Sequence, residues 1–377
     1  MFNGYICLLV RQNSKKDPAT KQKQYIMRLI STTIIILTSL ITFGQNKQVE
    51  ELGKIYMSGD FDKTIIKANE FLINDPNNID YKLLLGRALA DKGDFNSAIP
   101  YLDFTVKNDQ NNSWRKAWAL GYLGTCHFML QDYDNSRKST KECFDLNATK
   151  NATRYAYKRI LLFGFDDFYK DWKIVESDNF RFHFQNMSDS DIEKYISSRE
   201  KAFENINEFF ESKLPKKIDF FVWNSREDAK KLLKANLGFA DPGFCIVHSH
   251  FQQTKGHEMT HVISNHATKM VKKTGLINEG TSVCFDQTNQ DKEKIVKDWI
   301  ITNNKKITIK EIWTNWKDYP EELTYPLSGL FVKELIDNFG REKFIEFFGN
   351  QTYDNAKLIF GVKLDKVIKD FENKINT

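Results

Sequence analysis

Gly59-Asp60-Phe61 recurs as Gly93-Asp94-Phe95, 34 residues further along, and Gln131-Asp132-Tyr133 follows 38 residues after that. A small-residue marker precedes each of them: Leu52-Gly53, Leu85-Gly86 and Leu123-Gly124. Self-similarity at this period constrains a chain more tightly than its composition does. Each repeat is one supersecondary unit that cannot bury its apolar face alone, so it must stack on a neighbour. Within a repeat the small residue lets two helices approach, the Gly-Asp turn reverses the chain, and the aromatic after it locks the second helix on the first. Asp75-Pro76-Asn77-Asn78 and Asp109-Gln110-Asn111-Asn112 punctuate the ends of repeats. About three repeats fit into 46–150, close to the minimum for a stable stack.

This pattern resembles the tetratricopeptide repeat. The resemblance implies a helical array over 45–150 with a concave surface that could take a protein partner. The competing reading is a spacer that only packs on the next domain. Residues 151–170 read as a capping helix and linker. A second domain, 171–377, begins with aromatic-rich strands. Phe180, Phe182 and Phe184 alternate with Arg181 and His183, the mark of a half-buried strand, and put His183 on the solvated face. Lys217–Trp223 and Phe244–Phe251 read as further strands, and Asp241-Pro242-Gly243 as a turn. Ser188–Glu211 carries apolar residues at helical spacing, and Ser225 caps the start of another helix. The remainder, from 276 on, reads as mostly helical.

His257-Glu258-Met259-Thr260-His261 is the chemically pointed stretch. Residues four apart on a helix lie on one face, so two imidazoles one turn apart can bind one metal ion. Glu258 sits about 100° round the helix, within reach of a water on that ion but not itself a ligand. Met259, Val262, Ile263 and His266 form a separate face, spaced for a core. A zinc site needs a third ligand and an open position. Glu279 follows His261 after seventeen intervening residues, enough for the helix to end, the chain to reverse and a second helix to deliver a carboxylate.

HExxH followed by Leu276-Ile277-Asn278-Glu279-Gly280 resembles the gluzincin metallopeptidases, in particular their short-spaced peptidase MA-like group. The resemblance implies a zincin-like α+β domain with a small mixed sheet. It also implies Zn²⁺ held by His257, His261 and Glu279, and Glu258 as general base on a peptide or protein substrate. Tyr325-Pro-Leu-Ser-Gly329 through Phe344 is similar to a downstream segment of that group. A Tyr donates to the oxyanion in the more distant aminopeptidase N-type relatives, which makes Tyr325 the candidate for that part; the alternative is that it only packs a helix start. Ile277, Thr281-Ser282 and Lys255-Gly256 depart from the family pattern without touching a ligand. Asp286, seven residues after Glu279, is a candidate for orienting a ligand histidine, or else a solvated acid. In zincins the strand before the active-site helix commonly borders the cleft, so His248 and His250 are expected to contact substrate rather than a second metal.

Charge narrows the other classes. The net charge of +5 is confined to residues 1–44, which hold six basic residues and one acid. From residue 45 on, acids and bases balance, which speaks against nucleic acid as a partner. Met27-Arg28 followed by the apolar run Leu29–Phe43 and Gly44 reads as a signal peptide, with export to the periplasm or beyond. A membrane partner enters only if the leader stays uncleaved. Cys126 and Cys143 could face each other across a helical hairpin; separate buried thiols are the plainer reading, and no CxxC is present. The sequence therefore predicts an exported zinc metallopeptidase behind a repeat array. The alternative is a catalytically silent zincin-fold binding protein.

Overall fold

The computed structural model describes residues 47–377. The expected signal peptide lies outside the described residues. The chain divides into two compact units, the first ending at Tyr122 and the second running from Leu123 to Thr377. Among the described residues no helix is long and apolar enough to cross a membrane.

The repeat region is helical throughout: α1 (47–57), α2 (Phe61–Asn74), α3 (Ile79–Asp91), α4 (Phe95–Asn108), α5 (Trp114–Met129), α6 (Tyr133–Leu146) and α7 (Lys150–Leu162). The recurring tripeptide turns out to be a helix stop joined to a helix start. Its first residue is left-handed in all three copies, with φ of 80° at Gly59, 87° at Gly93 and 63° at Gln131. Glycine takes that conformation without a Cβ penalty and favours helix C-termini for that reason. The aspartate that follows is an N-cap. Asp60, Asp94 and Asp132 accept hydrogen bonds from the N–H groups of Lys63, Ser97 and Asn135 at 3.1, 3.2 and 3.3 Å. In the first unit Leu52, Tyr56, Ala68, Tyr81, Leu85 and Ala88 make the core between α1, α2 and α3.

The second unit carries five strands: β1 (Lys173–Glu176), β2 (Phe180–Phe184), β3 (Ile218–Trp223), β4 (Phe239–Asp241) and β5 (Ile246–His250). They form one mixed sheet in the order β1-β2-β3-β5-β4. The central strands β2, β3 and β5 are parallel, and both edges are antiparallel. Parallel neighbours need crossover connections. Helix α8 (Asp189–Phe210) makes the first and α9 (Arg226–Leu233) the second. The chain is thus α+β, with a helical N-terminal region and a small mixed sheet.

Helices cover both faces of this sheet. On one face Phe180, Phe182, Phe220 and Val247 pack on Ile206 of α8 and on Val262 of α10 (His257–Asn265). The opposite face was expected to meet water at His183; instead His183 is buried. Phe128 and Tyr133 lie over the cations of Lys216 and Arg181, at 4.1 and 3.8 Å, and close that side. The rings of Tyr169 and Trp172 pack on Phe221 and Trp223. Alternation of phenylalanine with arginine and histidine looks like a half-wet strand, but a largely parallel sheet is covered twice. The polar groups pair with one another instead. Asp219, fully buried, accepts from Arg181 Nη1 at 3.1 Å, lies 2.9 Å from His183 Nε2 and pairs with the Lys216 ammonium. Burial alone would raise its pKa; the Lys216 charge and the His183 hydrogen bond hold it well below the usual carboxylate range.

The C-terminal part is helical: α11 (Gly275–Cys284), α12 (Lys292–Asn303), α13 (Ile309–Thr314), α14 (Glu321–Phe348), α15 (Tyr353–Phe360) and α16 (Lys363–Ile375). Helix α14 is interrupted at Gly340, where φ is 81°. Leu276, Ile277, Trp313, Leu327, Phe331 and Phe347 belong to its core.

Candidate metal centre

Burial orients the HExxH helix. Met259, Val262 and Ile263 are fully buried in the core beneath the sheet. That commitment turns His257, Glu258 and His261 towards a cleft of about 920 Å³. The helix is anchored at its start, where the Gly256 N–H donates to the Asp286 carbonyl at 3.3 Å.

Glu279 arrives on α11. The residue after it, Gly280, lies against the α14 backbone: a Cβ there would sit 2.6 Å from the Ser328 carbonyl oxygen. Only glycine permits that approach, which also brings Tyr325 of α14 to the same cleft. Glu279 Oε2 lies 3.5 Å from His257 Nε2 and 3.3 Å from His261 Nε2. One ligating atom from each of the three residues falls within 4.8 Å of the others. An ion bound tetrahedrally at about 2.0–2.1 Å would space its ligand atoms about 3.3 Å apart. The three side chains therefore fit a metal ion.

The electrostatics suit a cation. Burial would raise the Glu279 pKa, but hydrogen bonds from His257 and His261 hold it far below the usual range, so it is ionised. Burial pushes the His257 pKa down, and its hydrogen bond to Glu279 with the charges of Glu258 and Glu279 brings it net upward. Glu258 is shifted the other way. Burial raises its pKa, the Glu279 charge adds to this, and the two histidines only partly oppose it. The two carboxylates thus differ in environment, one held as an anion and one with increased proton affinity.

Tyr325 lines the same cleft, its ring stacked 5.9 Å from that of His257 at 19°. Burial, and then the negative charge of Glu279, raises its pKa, so its hydroxyl is a proton donor at neutral pH. Asp286 also lines the cleft and is buried. Its Oδ1, however, accepts from Lys292 Nζ at 3.1 Å and from the Thr288 N–H and hydroxyl, both at 3.0 Å. Among the described residues no hydrogen bond joins Asp286 to a ligand histidine. It is neither solvated nor an orienting partner, and it acts on His257 through its charge.

The expected substrate contacts at His248 and His250 are corrected. On β5 the side chains alternate, and Val247 takes the face towards α10. His248 points the other way and is fully buried. It is stacked between Phe221 at 4.3 Å and Phe239 at 5.0 Å. Its Nδ1 accepts from Trp223 Nε1 at 3.1 Å, and its Nε2 meets the Leu162 carbonyl at 3.2 Å. His250 shares that face and is buried as well. Proximity in sequence to the HExxH could not reveal this; the parity of residue positions along the strand carries the signal.

Sequence reasoning passed over three cleft residues. Asn278 Nδ2 lies 3.3 Å from His261 Nδ1 and donates to Glu279 Oε1 at 3.1 Å, bridging two of the candidate ligands. Its place directly before Glu279 was the available clue. Gln253 lines the cleft beside Glu258, its Oε1 accepting from the His250 N–H at 2.7 Å. Lys273 lines it beyond His261. Cysteine chemistry has no place here, since burial pushes Cys245 and Cys284 up to about 12 and about 11. No known protein family and no curated protein matches this chain.

Proposed function

We propose that the Leu123–Thr377 unit is a zinc-dependent peptidase of gluzincin type. His257, His261 and Glu279 would hold the ion. Two imidazoles and one carboxylate are the donor set of many zinc hydrolases, and they leave a fourth position open. The observation that carries this reading is the pair of 3.3 and 3.5 Å spacings between the carboxylate and the two imidazole nitrogens, with Glu258 beside them.

When bound, zinc supplies Lewis acidity for the scissile carbonyl and lowers the pKa of the attacking water. Glu258, half-enclosed and with raised proton affinity, accepts the proton of that water and returns it to the leaving amine. The Tyr325 hydroxyl, kept protonated, donates to the oxyanion as it develops. Asn278 holds Glu279 and His261 in their relative positions. The cleft is large enough for several residues of an extended peptide.

The test uses protein purified from residue 45 onward. Metal analysis should find one zinc per chain, and a peptide library should be cleaved. Zinc at one per chain without cleavage of any library member would favour the silent binding protein. Zinc retained in full by Glu279→Ala would mean another third ligand.

A further inference from the structure

One cation of the cleft wall, Lys273, forms no ion pair among the described residues, although the charge of Glu279 reaches it. His257, His261 and Asn265 stand one turn apart on the same face of α10. Lys273 Nζ donates to Asn265 Oδ1 at 3.0 Å, which extends that row by one group beyond the ligands. Asn265 stands roughly 9 Å along the helix axis from the middle of the two histidines, and the ammonium is bound to its side chain. Its one hydrogen-bond partner is a neutral amide, and among the described residues it forms no ion pair.

The other charges around the cleft are accounted for. Lys292 is held by Asp286. Glu279 and Glu258 belong to the centre itself. Glu321 and Glu322 stand in the first turn of α14, where a helix N-terminus favours acids without any ligand. That leaves Lys273 as a cation facing the space where substrate would lie.

Resting on the peptidase reading, we infer that Lys273 selects substrates carrying a carboxylate two or three residues from the scissile bond. An extended peptide rises about 3.3 Å per residue, so a carboxylate two or three residues away spans the roughly 9 Å to this end of the row. That carboxylate is either an acidic side chain or the end of the chain, since the two present the same group to a lysine.

The experiment compares wild type, Lys273→Gln and Lys273→Glu at equal zinc content. Three sets of matched peptides are used. One places Glu against Gln or Lys at each of the three positions on either side of the cleaved bond. The second repeats this with Asp against Asn. The third sets a free C-terminus against an amidated one. Wild type should prefer the carboxylate member of at least one pair by about tenfold, the scale of one charged hydrogen bond. That ratio should collapse towards one in Lys273→Gln and shift towards the Lys peptides in Lys273→Glu. A preference in the first two sets alone assigns an acidic side chain; in the third alone, a chain terminus. A ratio near one in wild type, or one unchanged by both substitutions, overturns the proposal. If wild type cleaves nothing, the peptidase reading fails separately. Calorimetric binding of the same pairs to the zinc-loaded protein then decides the role of Lys273 by the same ratios.

Discussion

His248 illustrates how one residue type can read as function and act as structure. Its imidazole continues a row of stacked rings, His183, Phe221, His248 and Phe239, contributed by four adjacent strands in register. Burial, opposed by its contact with the Leu162 carbonyl, pushes its pKa down to about 3 from an ordinary 6.5. Between those values the unfolded chain binds a proton that the folded chain refuses. The stability this group contributes is complete above about pH 6.5 and is lost as pH falls towards about 3. The slope approaches about 1.4 kcal/mol per pH unit at its steepest. Denaturant unfolding of His248→Phe should give a visibly flatter pH dependence between pH 6 and pH 4 than wild type; an unchanged slope would assign the titration elsewhere. The two candidate ligand histidines were legible from the sequence because their spacing encodes their geometry: four residues apart is one turn. His248 and His183 were not, because a strand pattern tells which residues share a face but not whether that face is covered.

At the level of elements, the cleft depends on how closely α11 lies on α14. Gly280 allows the contact that carries both Glu279 and Tyr325 inward. Gly280→Val should separate the two helices and lower metal affinity at least about tenfold, in the range found for residues that position ligands. Competition with a chelating indicator measures this; affinity equal to wild type would show that the close approach is dispensable. The sequence pointed to glycine here only through the Asn-Glu-Gly resemblance. The long apolar elements, α8, β3 and α10, were legible from periodicity. The edge strands β1 and β4 were not. Lys173–Glu176 is mostly exposed, and Phe239–Asp241 has three residues, too few for alternation to register. The Gly-Asp-aromatic tripeptide gave the repeat but not its mechanism, which lies in a left-handed residue followed by an N-capping aspartate.

For the whole molecule, the candidate metal centre joins two consecutive helices that belong to different cores. His257 and His261 come from the helix under the sheet, and Glu279 from the C-terminal helical part. A ligand that binds only the folded state stabilises it by mass action, about 2.7 kcal/mol at a hundredfold excess over its dissociation constant. Removing metal should therefore lower the melting temperature by several degrees, and stoichiometric zinc should restore it. No change on chelation would mean that the three side chains do not share an ion. The central claim is that Glu258 performs chemistry at a metal held by its neighbours. It is tested most directly by the hydrolysis rate of a cleaved library peptide, comparing wild type with Glu258→Gln at equal zinc occupancy. Loss of a general base predicts a fall of about 10²–10⁴-fold. A Glu258→Gln protein that keeps its zinc and cleaves at the wild-type rate would contradict the mechanism.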